Sequence, residues 1–400
     1  MNVLFLSLLD MNSLADGNIY SDLLQVFANN GHKVYAVSPL ERKHKKNTHV
    51  IEGENYKILR NKILNIQKTN LIEKGISTLQ IEGKTKRAIK KYFKDVKFDL
   101  ILYSTPPVTF AGVVKYFKKR DNAITYLLLK DIFPQNCVDL GLFSKKSIFH
   151  WFFKRKEQKL YALSDYIGCM SPANVEYLLK HNPQLDGKRV EVCPNSERLQ
   201  DNSKSSEEKL AIREKYNLPK DKIIFCYGGN LGRPQNIDYL VECLRVADSK
   251  FHFLIVGGGT DAEKVRVYAE SSENTTYLKF LPKQEYQNVL SCADVGLIIL
   301  DKRFTIPNYP SRSLSYMKSR LPIYCVTDKN CDLGDVAEKY GFGVKQISDS
   351  VENFTKGLEK FTNISDNIIM GNNAYAYFED NYDVEKVYPI IVEKCKGDRI

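Results

Sequence analysis

The sequence predicts an α/β protein of two domains, each with a mainly parallel sheet covered by helices on both faces. Three observations lead to this prediction. A chain of 400 residues is too long for one ordinary core. Apolar, strand-like runs alternate with helical stretches, which is typical of parallel sheets. The alternation begins again after a polar stretch at 195–209.

The first domain opens with a strand, a helix and a strand, over 3–8, 18–30 and 33–39. The apolar residues of this helix recur near the 3.6-residue period, and Gly31 is well placed to end it. More strands are predicted in this half at 99–104, 123–129, 166–170 and 189–194. Helical segments lie between them, so the strands should run mainly parallel.

The polar stretch at 195–209 has the composition of an interdomain connection. It divides the chain into a first domain over 1–195 and a second over 196–380. The second repeats the architecture of the first, so both are predicted to be Rossmann-like. Its strands are predicted at 222–230, 252–259, 276–281, 295–300 and 321–326.

The cysteines and the apolar segments indicate the cellular compartment in which the protein is expected. Nine cysteines lie singly, without CxxC or Cys/His ligand spacing, which indicates buried thiols in a reducing compartment and argues against structural zinc. The apolar start lacks a preceding basic residue and is cut short by Asp10, so it is typical of a strand rather than a signal peptide. No segment approaches the ~20 apolar residues of a membrane helix. We expect a cytoplasmic protein, soluble or peripheral on the inner face of the cell membrane.

The net charge of +11 is concentrated in three basic runs of the first half, 83–98, 116–120 and 144–159. Such a surface suits nucleic acid, anionic lipid or sugar phosphates. The alternative for any single run is a solvated helix face. Because no recognised nucleic-acid-binding motif accompanies the runs, no nucleic-acid partner is expected.

Glycine-bearing turns follow three predicted strands and precede helices: the loop ending at Gly17, and the runs 228–236 and 257–259. A helix start offers N–H groups and a partial positive charge, so each turn is a candidate anion site. The alternative is that the glycines serve only the backbone conformation.

Several enzyme classes lack their motifs. There is no P-loop, GxSxG, HExxH or Asp-x-Asp pair. The 257–259 run departs from G-x-G-x-x-G, and no suitably placed acidic residue follows, which disfavours a dinucleotide dehydrogenase. A bound diphosphate would be met by Arg, Lys and helix ends, so no metal and no other cofactor is expected.

Two arginines are candidates for that contact. Arg233 stands just ahead of a predicted helix near 236–247, and its planar fork suits a pyrophosphate. The alternative is a surface arginine, although a cation is mildly unfavourable at a helix start. Arg312 opens a predicted helix at about 312–319, where the hydroxyl of Ser311 or Ser313 and the N–H groups are expected to face one point.

Four segments of the second domain follow one another in a characteristic order: YGGNLGRPQNIDYL (227–240), FLIVGGG (253–259), YLKFLPKQEYQNVLSCADVGLI (277–298) and NYPSRSLSYMKSRLPI (308–323). In these segments the chain resembles the retaining GT-B glycosyltransferases of the large family 4 group, in particular the bacterial capsule, O-antigen and exopolysaccharide branch. The first domain matches more loosely, through 17–23, 127–135 and 171–174.

The resemblance implies a donor held in the cleft between two facing domains, with a last helix near 383–396 that returns to the first domain. Arg233 would grip the donor diphosphate and stabilise the leaving nucleotide. The second cation usual in this family falls near Asn236 and is missing. The remaining implied donor contacts are Gly17, Asn18, Asn230 and, at the nucleobase turn, Lys283.

The chain departs from the family in its Glu-x7-Glu signature, whose positions hold Pro307 and Ser315. Ser315 can still hydrogen-bond a ribose hydroxyl. The sugar-orienting contact must come from Asn308, Tyr309 or backbone groups. The identity of the donor sugar is left open by this departure.

Asp131 lies just past the predicted strand at 123–129, where ligands of parallel sheets bind. It is the candidate for orienting the acceptor hydroxyl or assisting its deprotonation. The alternative is an aspartate that forms the turn before Pro134 or caps a helix.

An aromatic and basic stretch at 147–161 is a candidate for membrane contact, since interfacial helices combine such residues. The alternative is a helix whose aromatic side packs into the first domain. The residues proposed for the contact are Phe149, Trp151, Phe152, Phe153, Lys154 and Arg155.

The function predicted is transfer of a hexose or aminosugar, with retention, from a UDP-linked donor to a lipid-linked oligosaccharide. A non-hydrolysing sugar-nucleotide epimerase is one rival; it needs histidines and carboxylates in the cleft, and none of the six histidines falls in the second-domain turns. A degenerate scaffold or binding protein that lost both glutamates is the other. Arg233, Ser311 and Arg312 argue against it.

Overall fold

The computed structural model describes residues 1–65 and 71–397. It divides into two compact units. Unit 1 comprises Met1–Arg198 and Asp383–Ile400, and unit 2 comprises Leu199–Tyr382. The sequence placed these boundaries at 195, in a loop, and at 380, inside the helix Ile364–Asn381.

Unit 1 contains an eight-stranded sheet in the order β3-β4-β2-β1-β5-β6-β7-β8, parallel except for the antiparallel edge pair β3 and β4. The hairpin made by that pair was not predicted. The strands are β1 (Asn2–Leu6), β2 (Lys33–Glu41), β3 (His49–Gly53), β4 (Tyr56–Ile63), β5 (Leu100–Ser104), β6 (Ile124–Leu129), β7 (Tyr166–Cys169) and β8 (Val190–Val192).

Helices cover both faces of this sheet. Successive β1 residues alternate between the two cores, with Val3 and Phe5 in one and Leu4 and Leu6 in the other, as the two-residue strand period requires. The helices are α1 (Ile19–Asn29), α2 (Leu71–Tyr92), α3 (Ala111–Asp121), α4 (Gln135–Asp139), α5 (Ile148–Leu163) and α6 (Pro172–His181).

Unit 2 contains a six-stranded, fully parallel sheet in the order β11-β10-β9-β12-β13-β14. The edge strand β14 was not predicted. The strands are β9 (Ile223–Asn230), β10 (Phe251–Gly258), β11 (Thr275–Leu278), β12 (Val295–Ile299), β13 (Ile323–Thr327) and β14 (Gly343–Ile347). The helices are α7 (Ser206–Lys215), α8 (Ile237–Val246), α9 (Ala262–Glu270), α10 (Lys283–Ser291), α11 (Arg312–Lys318), α12 (Leu333–Lys339), α13 (Val351–Leu358) and α14 (Ile364–Asn381).

The last helix, α15 (Val384–Gly397), returns to unit 1 as predicted. Its buried Val387 and Ile391 join the core on the α1 face. Tyr388 packs edge-on against Phe27, with ring centroids 4.8 Å apart, and its hydroxyl lies 2.8 Å from the ring of His32.

The cysteines and the helices bear on two sequence predictions, buried thiols and no membrane helix. All nine cysteines are free thiols, eight of them buried and Cys137 half-buried. Across residues 1–65 and 71–397, no helix combines the length and the apolarity needed to cross a membrane.

Candidate functional site

The carboxyl edge of the unit 2 sheet is built on a close approach of two backbones. Gly229 ends β9 and Gly257 pairs with it from β10, both with φ in the left-handed half, +132° and +152°. A Cβ on Gly257 would lie 1.9 Å from the carbonyl oxygen of Gly229, and one on Gly259 would lie 2.1 Å from that of Leu231. Gly257 and Gly259 are therefore required by the backbone conformation. This is the alternative to an anion site that the sequence left open for the 257–259 run.

Beneath the β9 glycines lies the guanidinium of Arg312. A Cβ on Gly229 would lie 3.4 Å from its Cζ, and the same Cζ sits 4.4 Å from the ring centroid of Tyr227. Its Nη1 is buried and has no hydrogen-bond partner among the described residues. An unpaired buried charged donor is costly, so this atom indicates a site for an anion.

A second cation, Arg233, stands on the same edge. Its side chain is exposed, and we find no hydrogen bond or ion pair from it to the described residues. It opens a short 3₁₀ turn, Arg233–Gln235, and Asn236 then caps α8 with φ +45° and a side chain that accepts from the N–H of Tyr239 at 3.4 Å. Asparagine suits both the left-handed conformation and the cap, which gives a structural reason for its presence where the family has lysine.

Two other predicted donor contacts flank this edge. The side-chain amide of Asn230 lies 3.0 Å from that of Gln235, and the Tyr227 hydroxyl donates to the Asn230 carbonyl at 2.5 Å, so this residue braces the turn around Arg233. Lys283 is the first residue of α10, and its side chain is exposed.

The 308–315 segment corrects part of the sequence prediction. Of the two serines predicted to offer a hydroxyl together with the N–H groups, Ser313 donates its hydroxyl to the carbonyl of Pro310 at 2.9 Å instead. Ser311 has helical dihedral angles and makes no capping bond. The Tyr309 side chain is buried, and its hydroxyl already makes a hydrogen bond with that of Tyr382.

Two residues of this segment retain unused hydrogen-bonding groups. Within the described part of the chain, the buried Nδ2 of Asn308 has no partner. Ser315, which stands at the second signature position, is half-buried, and its hydroxyl makes no hydrogen bond to a described residue. The side chains of Asn308 and Ser315 are thus better suited to a donor than that of Tyr309.

The first turn of α1 in unit 1 is already satisfied. Gly17, with φ +65°, ends the 3₁₀ turn Leu14–Asp16 and is followed by Asn18. The Oδ1 of Asn18 accepts from the N–H groups of Tyr20 and Ser21, both at 3.0 Å. Asn18 therefore caps α1 and occupies two N–H groups of this helix start, while its role as a donor contact stays a prediction.

Asp131 lies past the carboxyl end of β6. The Nδ2 of Asn136 donates to both of its carboxylate oxygens, at 2.9 and 3.0 Å. Burial raises the pKa of Asp131 to about 6, partly offset by the Asn136 hydrogen bond. Burial also raises the pKa of the nearby Tyr20 to about 12; a hydrogen bond from Ser104 lowers it, and the charge of Asp131 adds to the rise. A carboxyl with this pKa suits proton transfer near neutral pH.

Sequence reasoning missed Asn136 and Arg60. Arg60 is buried in β4, its Nη2 lies 2.5 Å from the Asp10 carboxylate, and its Nη1 donates to the carbonyl of Met11. It therefore fixes the loop that leads to Gly17. No motif signalled it, since β4 itself was not predicted.

The aromatic and basic residues of α5 divide between surface and interior. Phe149 and Trp151 are exposed, at 63% and 56%. Arg155 stacks on Trp151, 4.8 Å from the ring centroid. Phe153 packs edge-on against Phe133 at 4.9 Å and, like Phe152, is half-buried. Lys154 pairs with Glu157 at 2.6 Å.

No group of three or more His, Cys, Asp or Glu side chains that could hold a metal ion occurs within residues 1–65 and 71–397. The candidate groups for an anion at the unit 2 edge are its two arginines.

Comparison with known proteins agrees with this geometry. Residues 208–299 match the family described as Glycosyl transferases group 1. The probable glycosyltransferase WbjE of Pseudomonas aeruginosa is 24% identical over 285 residues, 69% of this chain and 68% of WbjE. The putative colanic acid biosynthesis glycosyl transferase WcaI of Escherichia coli (strain K12) is 24% identical over 194 residues, 47% of this chain and 46% of WcaI, so the chain spans about half the length of that relative.

Solved structures match the whole chain. Sucrose-phosphate synthase (tll1590) from Thermosynechococcus elongatus has a TM-score of 0.75 at 14% identity, covering 99% of this chain and 98% of that one. Anabaena Alr3699/HepE in complex with UDP has a TM-score of 0.69 at 11% identity, covering 99% and 100%. The likeness establishes the fold, which is GT-B. The chain contains a Glycosyl transferases group 1 domain and is a glycosyltransferase, as the resemblance in the sequence implied.

Proposed function

We propose that this enzyme transfers a hexose or aminosugar, with retention, from a UDP-linked donor to a lipid-linked oligosaccharide in surface polysaccharide biosynthesis. The observation that supports it most is the pair of arginines at the carboxyl edge of the unit 2 sheet. Arg312 has a buried Nη1 without a described partner, and Arg233 is exposed and makes no described ion pair. Two such cations at one edge suit a diphosphate.

In this proposal the arginines have separate roles. Arg312 is fixed against Gly229 and Tyr227 and holds the diphosphate in place. Arg233, on an exposed turn, stabilises the charge that develops on the leaving nucleotide as the glycosidic bond breaks. No metal is required for either role. The UDP of the HepE complex supports UDP as the nucleotide.

Asp131 is the proposed contact of the acceptor hydroxyl. Its pKa of about 6 leaves it mostly ionised at neutral pH, so it accepts a hydrogen bond from that hydroxyl and orients it. The departing phosphate takes the acceptor proton in front-face transfer, with Asp131 assisting. WcaI, described as a colanic acid biosynthesis glycosyl transferase, supports a polysaccharide product.

The experiment is a thermal-shift and calorimetric titration with UDP, GDP, UDP-GlcNAc, UDP-Glc and UDP-Gal, on the wild type and on Arg233→Ala. A ligand at 100 times its Kd adds about 2.7 kcal/mol to the free energy of unfolding. We expect UDP compounds to stabilise the wild type and to lose most of that effect in the variant. If no nucleotide stabilises the wild type, the proposed donor site is wrong.

A second candidate is a binding or scaffold protein of a polysaccharide assembly complex. The absence of both signature glutamates, at Pro307 and Ser315, favours it. Incubation with labelled UDP-sugars and a bacterial lipid extract separates the two. Transfer of label to lipid supports the enzyme, and donor binding without transfer or hydrolysis supports the scaffold.

A further inference from the structure

Unit 1 contains a cavity of about 200 Å³ that the donor and acceptor contacts described above do not use. Its walls come from the loop after Asp131, including Ile132 and Pro134, and from α5 and α6. Four of the eight polar side chains in its lining are basic: Lys145, His150, Lys154 and His181. Pockets that enclose drug-sized ligands measure roughly 300–1,000 Å³, so this one suits a compact group.

The balance of charge in the cavity is positive. The one carboxylate of its lining, Glu157, is neutralised by Lys154 at 2.6 Å and accepts a further hydrogen bond from Tyr161 at 2.9 Å. Lys145 is exposed and makes no ion pair with the described residues. Burial, then the charges of Lys154 and Lys145, lowers the pKa of His150, which shows that its ring lies in a positive field.

The same region carries exposed apolar side chains. Ile148, Phe149 and Trp151 at the start of α5 are 75%, 63% and 56% exposed, and Leu142 in the preceding loop is 49% exposed. His150 lies between Phe149 and Trp151 in sequence and lines the cavity. The first turn of α5 therefore contributes residues both to the cationic cavity and to the exposed apolar surface.

We propose that this cavity binds the diphosphate head of a lipid-linked acceptor, while the exposed side chains of α5 contact its hydrocarbon chain at the membrane. The inference rests on the proposed function and specifies its acceptor. Lys145 supplies a charge-assisted contact, and His150 supplies a ring N–H donor. The Nδ1 of His181 already donates to the carbonyl of Tyr177 at 2.9 Å, so the neutral ring of His181 lines the cavity without a further N–H donor. Because the loop that carries Asp131 forms one wall, an anchored head group would bring the attached sugar close to that carboxylate.

The experiment titrates inorganic pyrophosphate, farnesyl diphosphate and farnesol calorimetrically into full-length Arg233→Ala, in which one of the two donor-site arginines is absent. Any binding at the remaining Arg312 is common to all the variants compared. In this background Lys145→Gln and the double variant His150→Gln with His181→Gln test the cavity. Lys159→Gln, an exposed lysine of α5 that does not line it, is the matched control. We expect farnesyl diphosphate to bind at least tenfold more tightly than farnesol, and the cavity variants to lose at least tenfold in affinity for both diphosphates.

Three results would overturn the inference. Farnesol could bind as tightly as farnesyl diphosphate, or the cavity variants could bind the diphosphates as tightly as the Lys159→Gln control does. In the third result, the protein binds phosphatidylglycerol vesicles through Lys145 but does not bind pyrophosphate. UDP titration of the same variants with Arg233 intact separates this inference from the proposed function. UDP stabilisation without diphosphate binding removes only the cavity proposal. Diphosphate binding to a protein that no nucleotide stabilises removes only the donor proposal.

Discussion

The carboxyl edges of the two sheets carry opposite chemistry. The unit 2 edge presents Arg233 and Arg312, neither with a described counter-charge. The unit 1 edge presents the Asp131 carboxylate and a helix start whose N–H groups Asn18 already occupies. The carboxyl ends of parallel strands in the two sheets therefore provide one site suited to an anion and one suited to a hydroxyl. Fold alone does not separate them, because the difference lies in a few side chains.

The largest effect on activity is expected when Arg233 at the unit 2 edge is replaced. Replacing it with alanine removes the exposed cation, and we expect kcat to fall by about 10²–10³, the range for loss of one transition-state donor. Steady-state kinetics with the donor found by titration measures it. Arg245→Ala is the control, since Arg245 is exposed at the opposite end of α8. Equal activity of the two variants would show that Arg233 does not contact the diphosphate.

A matched glycine pair tests whether the backbone approach holds the anion edge together. Gly257→Ala places a methyl group 1.9 Å from a carbonyl oxygen at φ +152°, and we expect about 3 kcal/mol of destabilisation. A Cβ on the adjacent Gly258 meets nothing within 4 Å, so Gly258→Ala should change stability by less than about 1 kcal/mol. Denaturant unfolding of both variants measures the difference. Similar midpoints would contradict the described approach of β9 and β10.

At the unit 1 edge, Asp131→Asn separates activity from stability. Because the folded-state pKa of about 6 lies above the ordinary 3.8, the buried carboxylate costs stability at pH 7, and that cost is relieved as the pH falls through 6 towards 4. The amide should therefore stabilise the protein at pH 7 by about 1–2 kcal/mol. Its activity should fall about 10²-fold. Thermal unfolding at pH 7 and pH 5, together with kinetics, measures both.

The pH dependence of the wild type provides the control for Asp131. Activity should decline as the pH falls through about 6, where the carboxyl takes up its proton. Asn136→Ala removes a hydrogen bond that favours the ionised form, so the acid limb should move to higher pH. If the loss of activity at acid pH is unchanged in Asn136→Ala, or persists in Asp131→Asn, the group that titrates is not Asp131.

The fold was largely predictable because strand and helix periods alternate regularly along the chain. The edge strands β3 and β14 were missed since their residues are mostly half-buried or exposed and lack the apolar run that marked the central strands. Arg233 was predicted as a donor contact from its position ahead of a helix, and its exposed side chain without a described ion pair is compatible with that prediction. The unpaired Nη1 of Arg312, the Asn136 contact and the role of Arg60 were beyond sequence reasoning, because each depends on which side chains the fold brings together.

The smallest expected effect concerns Asn18, which the sequence assigned to the donor and the structure assigns to the α1 cap. Asn18→Ala should cost about 1 kcal/mol of stability, the usual value for a lost N-cap. Asn18→Asp retains an acceptor oxygen for the Tyr20 and Ser21 N–H groups, so its stability should equal that of the wild type. UDP titration distinguishes the two roles. A cap residue leaves UDP binding intact in both variants, whereas a diphosphate contact would make the aspartate bind UDP more weakly than the alanine, because its charge repels the phosphates.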